Sequence, residues 1–161
     1  MISNFEIVDV TAEYLGWLMD KETNKYLEVR FNKADFDNIV DFVNAARVSK
    51  NKIFMKICAP YFVGTCSLNI DHEHRTAEVG IMIGNSHARG RGVGKESLIL
   101  LLEYAHTILS LRKVSARVYA ANYPSIKLFL SLGFRLEARL KGQVLLDDIP
   151  EDLEIYSIFF D

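Results

Sequence analysis

The sequence predicts an α+β fold: a mixed, mostly antiparallel central sheet of about seven strands flanked by about four helices. Three observations predict it. The strand-like runs IFMKICA (53–59), VGTCSLNI (63–70) and TAEVGIMIG (76–84) follow one another across only PY and the polar DHEHR, connections short enough for an antiparallel meander. The third run is followed by a long helical pattern and another strand-like run, KVSARVYA (113–120), a passage that suggests a parallel neighbour. The chain then finishes with FRLEARLK and DLEIYSIFF, read as two antiparallel strands.

In chain order, FEIVDV (5–10) alternates and reads as a first strand. Thr11 is placed to cap a short helix through AEYLGWLMD. A second helix is expected over 35–47 behind an Asp35 cap, because Phe36, Ile39, Val40, Phe42, Val43 and Ala46 recur at helical spacing. After the meander comes a helix over about 93–110. Pro124 suits the first turn of a helix over 124–132, and Gly133 suits its C-terminal end. With no repeat, low-complexity tract or linker, residues 1–161 read as a single domain long enough to bury a core without metals or disulfides.

Composition narrows the function. Half the residues are hydrophobic and the net charge is −2, which argues against a nucleic-acid binder that relies on phosphate contacts. LILLLEYAHTIL carries Glu103 and His106 and is too short to span a bilayer, and MISNFEIVDV does not read as a secretory leader. Cys58 and Cys66 match no metal spacing and fit a reduced, cytoplasmic setting best, with one disulfide left open. His72 and His74 read as a solvated turn rather than a metal site, so no metal is expected. His87 and His106 have no evident partner, and Cys66 has no neighbouring base to make it a nucleophile.

The stretch HARGRGVGKES (87–97) sits directly before the long helix. The first turn of a helix leaves its N–H groups unpaired and carries partial positive charge, so it suits an anion. Gly90, Gly92 and Gly94 let the backbone curl close to such a group, and Arg89, Arg91 and Lys95 add charge. A P-loop would need glycine where Arg89 stands and Ser or Thr where Glu96 stands; a dinucleotide-binding turn would need glycine at Lys95. A glycine-rich surface turn is the plain alternative.

RGRGVG (89–94) has the form R-x-x-G-x-G between a strand and a helix, NYPSIKLFLSLGF (122–134) matches N-x-x-[AS]-x-x-L-Y-x-x-L-G-F at nearly every position, and AEVGIMIG (77–84) has an E-x-G strand. Together these resemble the GNAT family of N-acetyltransferases, in its ribosomal-protein-acetylase-like branch, over about 75–160. The resemblance implies acetyl-CoA as co-substrate. Backbone groups of Ile81, Met82 and Ile83 would bond the pantetheine arm on a strand splayed from its neighbour. The amides of Arg89, Gly90, Arg91, Gly92, Val93 and Gly94, with Lys95, would hold the diphosphate, and Asn122 and Ser125 would line the same wall. Where the family often has a tyrosine acid, this chain has Phe129, so either another group or water protonates the departing thiolate, or the nearby Tyr123 substitutes.

Direct transfer of an acetyl group needs a neutral amine and a donor for the developing oxyanion, which falls to a backbone N–H near Met82 or Ile83. Glu78 shares a strand face with Gly80 and Met82 and is the candidate base; its structural alternative is a partner for Arg75 or Lys56. The acceptor is read from YLGWLMDKETNKYLEVRF (14–31), which resembles family members acting on amino sugars carried by nucleotides. Trp17 would stack on a base or sugar and Arg30 would meet a phosphate. A protein N-terminus, a polyamine, and a non-catalytic acetyl-CoA sensor are the alternatives. The apolar IYSIFF offers a strand edge for a homodimer.

Overall fold

The computed structural model describes residues 1–32 and 34–160, without the side chain of Ile7. A three-residue strand, β1 (Ile2–Asn4), pairs antiparallel with β2 (Lys52–Cys58). The meander continues through β3 (Phe62–Asp71) and β4 (Thr76–Ile83), as the short connections require. β5 (Lys113–Tyr119) lies parallel to β4, and β6 (Arg135–Leu146) and β7 (Ile149–Phe159) form the final hairpin. The sheet order is β1-β2-β3-β4-β5-β7-β6. Among the described residues the five α-helices are α1 (Ala12–Met19), the four-residue α2 (Lys21–Asn24), α3 (Phe36–Val48), α4 (Val93–Thr107) and α5 (Tyr123–Ser131).

Local chemistry sets most helix starts. The Thr11 hydroxyl accepts from the Tyr14 N–H at 3.2 Å, Asp20 from Thr23 at 2.9 Å, Asp35 from Asn38 at 3.0 Å and Asn122 from Ser125 at 3.3 Å. Each satisfies a donor that the helix itself leaves unpaired. α5 ends as expected, with Gly133 at a φ of 88°.

Alternation splits the apolar residues between two cores. Ala77 and Val79 of β4 and Val114, Ala116 and Val118 of β5 pack against Leu98, Leu101, Leu102 and Ala105 of α4 and Phe129 of α5. On the other face Met82 joins Phe5, Tyr14, Trp17, Leu18, Ile39 and Val43.

Two expectations are corrected. The first strand is Ile2–Asn4, not 5–10, because the Asp9 carboxylate accepts from the Glu6 N–H at 2.8 Å and pairs with Lys56 at 2.8 Å, folding 7–9 into a 3-10 turn. IYSIFF is no edge: β7 is paired with β5 on one side and β6 on the other, and β6 is the outer strand. The β6–β7 hairpin is also longer than read from the sequence. Its turn uses Asp147 and Asp148, with φ of 51° and 63°, the left-handed pair of a two-residue hairpin loop.

Candidate active site

β4 and β5 pair only at Thr76↔Lys113, Ala77↔Val114 and Glu78↔Ser115, although β4 runs on to Ile83 and β5 to Tyr119. Past Glu78 the two strands part. The Gly84 N–H donates to Val63 O at 2.9 Å, and the β3–β4 register is unbroken. Alternation then turns the backbone groups of Met82, Gly80 and Glu78 toward β3 and those of Val79, Ile81 and Ile83 toward the gap. The Arg112 N–H donating to Arg75 O at 2.9 Å on the β5 side fits the same parity. Ile81 and Ile83, and not Met82, therefore offer peptide N–H groups there. Met82 sends its side chain into the core, with 9% of its surface exposed.

The wide end of the gap meets the start of α4. Gly90 and Gly92 have φ of 72° and 83°, left-handed values that residues with a Cβ disfavour. Among the described residues no side chain caps α4; its N-cap position is Gly92. The first-turn N–H groups of Val93, Gly94 and Lys95 thus lack the side-chain partner that the other four helices have. One groove of about 740 Å³ joins this helix start to the gap, lined by Ile81, Met82, Ile83, Arg89, Gly90, Gly92, Val93, Gly94, Lys95, Asn122, Ser125 and Phe129. Arg91 is exposed on the same turn but does not line the groove. Asn122 commits its carbonyl oxygen to the α5 cap, which leaves its NH₂ group for other partners.

The third wall comes from residues 22–27 and from the end of β5. Tyr26 donates to Ala121 O at 3.2 Å, and its ring lies 5.6 Å from that of Tyr119. The Tyr119 hydroxyl donates to Glu28 Oε1 at 2.9 Å and accepts from Arg30 Nη2 at 3.0 Å. Burial, and then the adjacent Glu28 carboxylate, push the Tyr119 phenol above its ordinary range. Sequence reading missed Tyr119; its only sequence signal is an aromatic closing a strand three residues before Asn122.

The acceptor candidates take other places. Trp17 is 9% exposed, meets Phe62 at 5.0 Å between ring centroids and lies against the Gly84 backbone, where an added Cβ would stand 2.1 Å from the indole. It is a core residue and does not line the groove. Arg30 donates to Tyr119, to Lys25 O and to Leu145 O, tying the 25–31 segment to the last hairpin. Most of its donors are spent inside the fold.

Tyr123 is 68% exposed and outside the groove, while Phe129 is 3% exposed and packs on Phe134 at 5.1 Å. Glu78 stands at the vertex of the gap. Neither expected partner holds it: Lys56 pairs with Asp9, and Arg75 sits in a turn at a φ of 51°. It lines a separate polar groove of about 580 Å³ with Asn51, Lys52, Asn69, Asp71, Thr76 and Ser115.

Burial pushes the Cys66 thiol up to about 12, which leaves no thiolate for nucleophilic chemistry near neutral pH. His72 Nε2 lies 2.9 Å from Lys50 O, and no group of three or more potential metal ligands gathers among the described residues. No helix among them is long and apolar enough to cross a membrane.

A strand pair opened beside an uncapped, glycine-led helix defines an acyl-carrier site of the acetyltransferase type. The sequence profile described as the acetyltransferase (GNAT) domain matches residues 2–135, and the chain belongs to that family. The N-acetyltransferase p20 of Bacillus licheniformis is 32% identical over 143 residues, 84% of this chain and 78% of that protein. The ribosomal-protein-serine acetyltransferase of Escherichia coli is 30% identical over 111 residues, 68% of this chain and 62% of that protein. In fold, the spermidine N-acetyltransferase from Vibrio cholerae in complex with CoA and spermine superposes with a TM-score of 0.87 at 21% identity, covering 99% of this chain and 94% of that one. The chain is an N-acetyltransferase, and acetyl-CoA is its acetyl donor.

Proposed function

We propose that residues 1–161 act as one acetyltransferase domain that moves the acetyl group directly onto the α-amino group of a polypeptide N-terminus. Acetyl-CoA supplies the activated acyl group as a thioester. Its diphosphate suits the N–H groups of Val93, Gly94 and Lys95 beside Arg89, and the gap-facing peptides of Ile81 and Ile83 suit its amide-bearing arm. Asn122 and Ser125 complete that wall. An arm anchored at the wide end points its reactive end toward the vertex, where Glu78 stands. The N–H of Ile81 or Ile83 is the oxyanion donor, and Glu78 takes the amine proton through water. Phe129 leaves protonation of the thiolate to water, and Tyr123 has no part in it.

The observation that carries the acceptor class is the polar row at the vertex. Lys52, Asn69, Glu78, Ser115 and Ser157 stand opposite one another across β2, β3, β4, β5 and β7, and so share one face. Part of the row lines the 580 Å³ groove, a track of hydrogen-bonding side chains suited to an extended backbone. The energetics agree. Neutralising an α-amino group near 7.8 costs about 1 kcal/mol at pH 7, against about 4–5 kcal/mol for a lysine-like amine. The similarity to a ribosomal-protein-serine acetyltransferase supports the same class. An amino sugar on a nucleotide is the weaker reading, because Trp17 and Arg30 are both occupied within the fold.

The test mixes the protein with acetyl-CoA and, separately, short peptides with free or blocked N-termini, an amino-sugar nucleotide and spermidine, and follows thiol release. Release with free-N-terminus peptides alone is expected, with Glu78→Gln lowering kcat about 100-fold or more. Release only with spermidine or the sugar nucleotide refutes the acceptor class. Tight CoA binding with no turnover on any amine would make the protein a sensor.

A further inference from the structure

The Arg89 side chain is held by partners within the fold. Its Nε donates to Ile83 O at 2.9 Å, and its Nη2 donates to the Thr23 hydroxyl at 2.7 Å. That hydroxyl donates onward to the Asp20 carboxylate at 2.6 Å, and the same carboxylate caps α2. A guanidinium, a hydroxyl and a carboxylate thus form one polarised chain with opposite charges at its ends. It joins three parts of the site: the last residue of the splayed strand, the glycine turn three residues before Gly92, and the helix whose Glu22 and Thr23 line the groove.

A second contact links the same segments. The Trp17 ring of α1 lies against the Gly84 backbone, the residue after β4. α1 and α2 are therefore held on segment 83–89 at two points, one apolar and one polar. Only the polar one depends on where Arg89 sits, and Arg89 sits on the turn that receives the diphosphate.

We propose that Arg89 is a positioning residue that couples the glycine turn to the first two helices: occupation of the α4 end by CoA fixes the turn, and the Arg89–Thr23–Asp20 chain passes that order to α2, which walls the same groove, and to α1 before it. The inference rests on the cofactor placement given under the proposed function. By reciprocity, whatever orders α1 and α2 tightens CoA by the same factor. Arg89 touches no reacting atom in this scheme; it acts through Thr23.

The experiment is hydrogen exchange of the full chain with and without CoA, which needs no identified acceptor. In the natural sequence CoA is expected to slow exchange at 92–97 and also at 13–24, the second by about fivefold or more, the lower edge of ordinary site-to-site coupling. Thr23→Val, which removes the hydroxyl and keeps the shape, retains the protection at 92–97 and loses it at 13–24. Thr23→Ser, which keeps the hydroxyl, retains both. Protection at 13–24 that survives Thr23→Val overturns the coupling. So does a natural chain protected by CoA at 92–97 alone, a result that stands even if the valine variant fails to fold. Protection at neither segment overturns the cofactor placement, and the coupling with it.

Discussion

Gly92 and Gly94 lie two residues apart in the same turn, yet alanine should act oppositely at the two. At Gly92 a Cβ would meet nothing within 4 Å, so the cost is purely conformational. The φ of 83° belongs to the left-handed region, where an L side chain costs about 1–2 kcal/mol. For a domain of this size each kcal/mol moves the melting temperature by about 2–4 °C, so Gly92→Ala is expected to melt about 2–8 °C lower. If the chain instead relaxes toward a right-handed conformation, the first-turn N–H groups of α4 swing off the anion. CoA affinity should then fall about 5–30-fold, the worth of a partly buried charge at a helix start. At Gly94 the added Cβ would stand 3.5 Å from Ile81, 3.6 Å from Leu128 and 3.7 Å from Ile83, ordinary contact distances. Alanine is also the better helix former by up to about 1 kcal/mol, so Gly94→Ala should be neutral or slightly stabilising. Thermal melting and calorimetric titration with CoA measure both variants. Equal destabilisation by the two, or a Gly92→Ala protein that melts and binds CoA like the natural chain, would refute the account of the turn.

Gly84→Ala drives a methyl group to 2.1 Å from the Trp17 ring, and the overpacking should destabilise by about 1–3 kcal/mol or more in urea unfolding. Tyr123→Phe should leave kcat unchanged, because the residue is 68% exposed and does not line the groove; a tenfold fall would return it to the chemistry. Burial works against the charge of Glu154, but the Tyr156 hydroxyl at 2.6 Å and Arg139 outweigh it and hold the carboxyl below its ordinary 4.5. A depressed folded value means that this stabilisation is present above about pH 4.5 and lost as pH falls through the lowered value, so melting temperature should drop on the acid side of 4.5. Glu154→Gln should flatten that acid limb and cost about 1–3 kcal/mol at pH 7.

The parts of the molecule legible from sequence are those whose cause lies within a few residues. Thr11 and Asp35 cap helices because each side chain bonds an N–H three positions on. Gly90, Gly92 and Gly133 mark positive φ because only the local backbone decides it. The opposite case is Asp9, whose pairing with Lys56, 47 residues away, turns an apparent strand into a 3-10 turn. Tyr119 went unseen for the same reason, since its value to the site comes from Glu28 and Arg30, which reach it across about 90 residues.

Taken alone, the order of residues determined most of the strands and helices, the antiparallel meander with its parallel neighbour, and the glycine-led turn before α4. These follow from periodicity, capping and backbone freedom, all short-range. The tertiary structure decided that β4 leaves β5 after Glu78, that Ile81 and Ile83 rather than Met82 face the opening, and that Trp17 and Arg30 serve the fold. Each of these depends on which distant surface a residue packs against, and burial and register are properties of the assembled sheet rather than of any stretch within it.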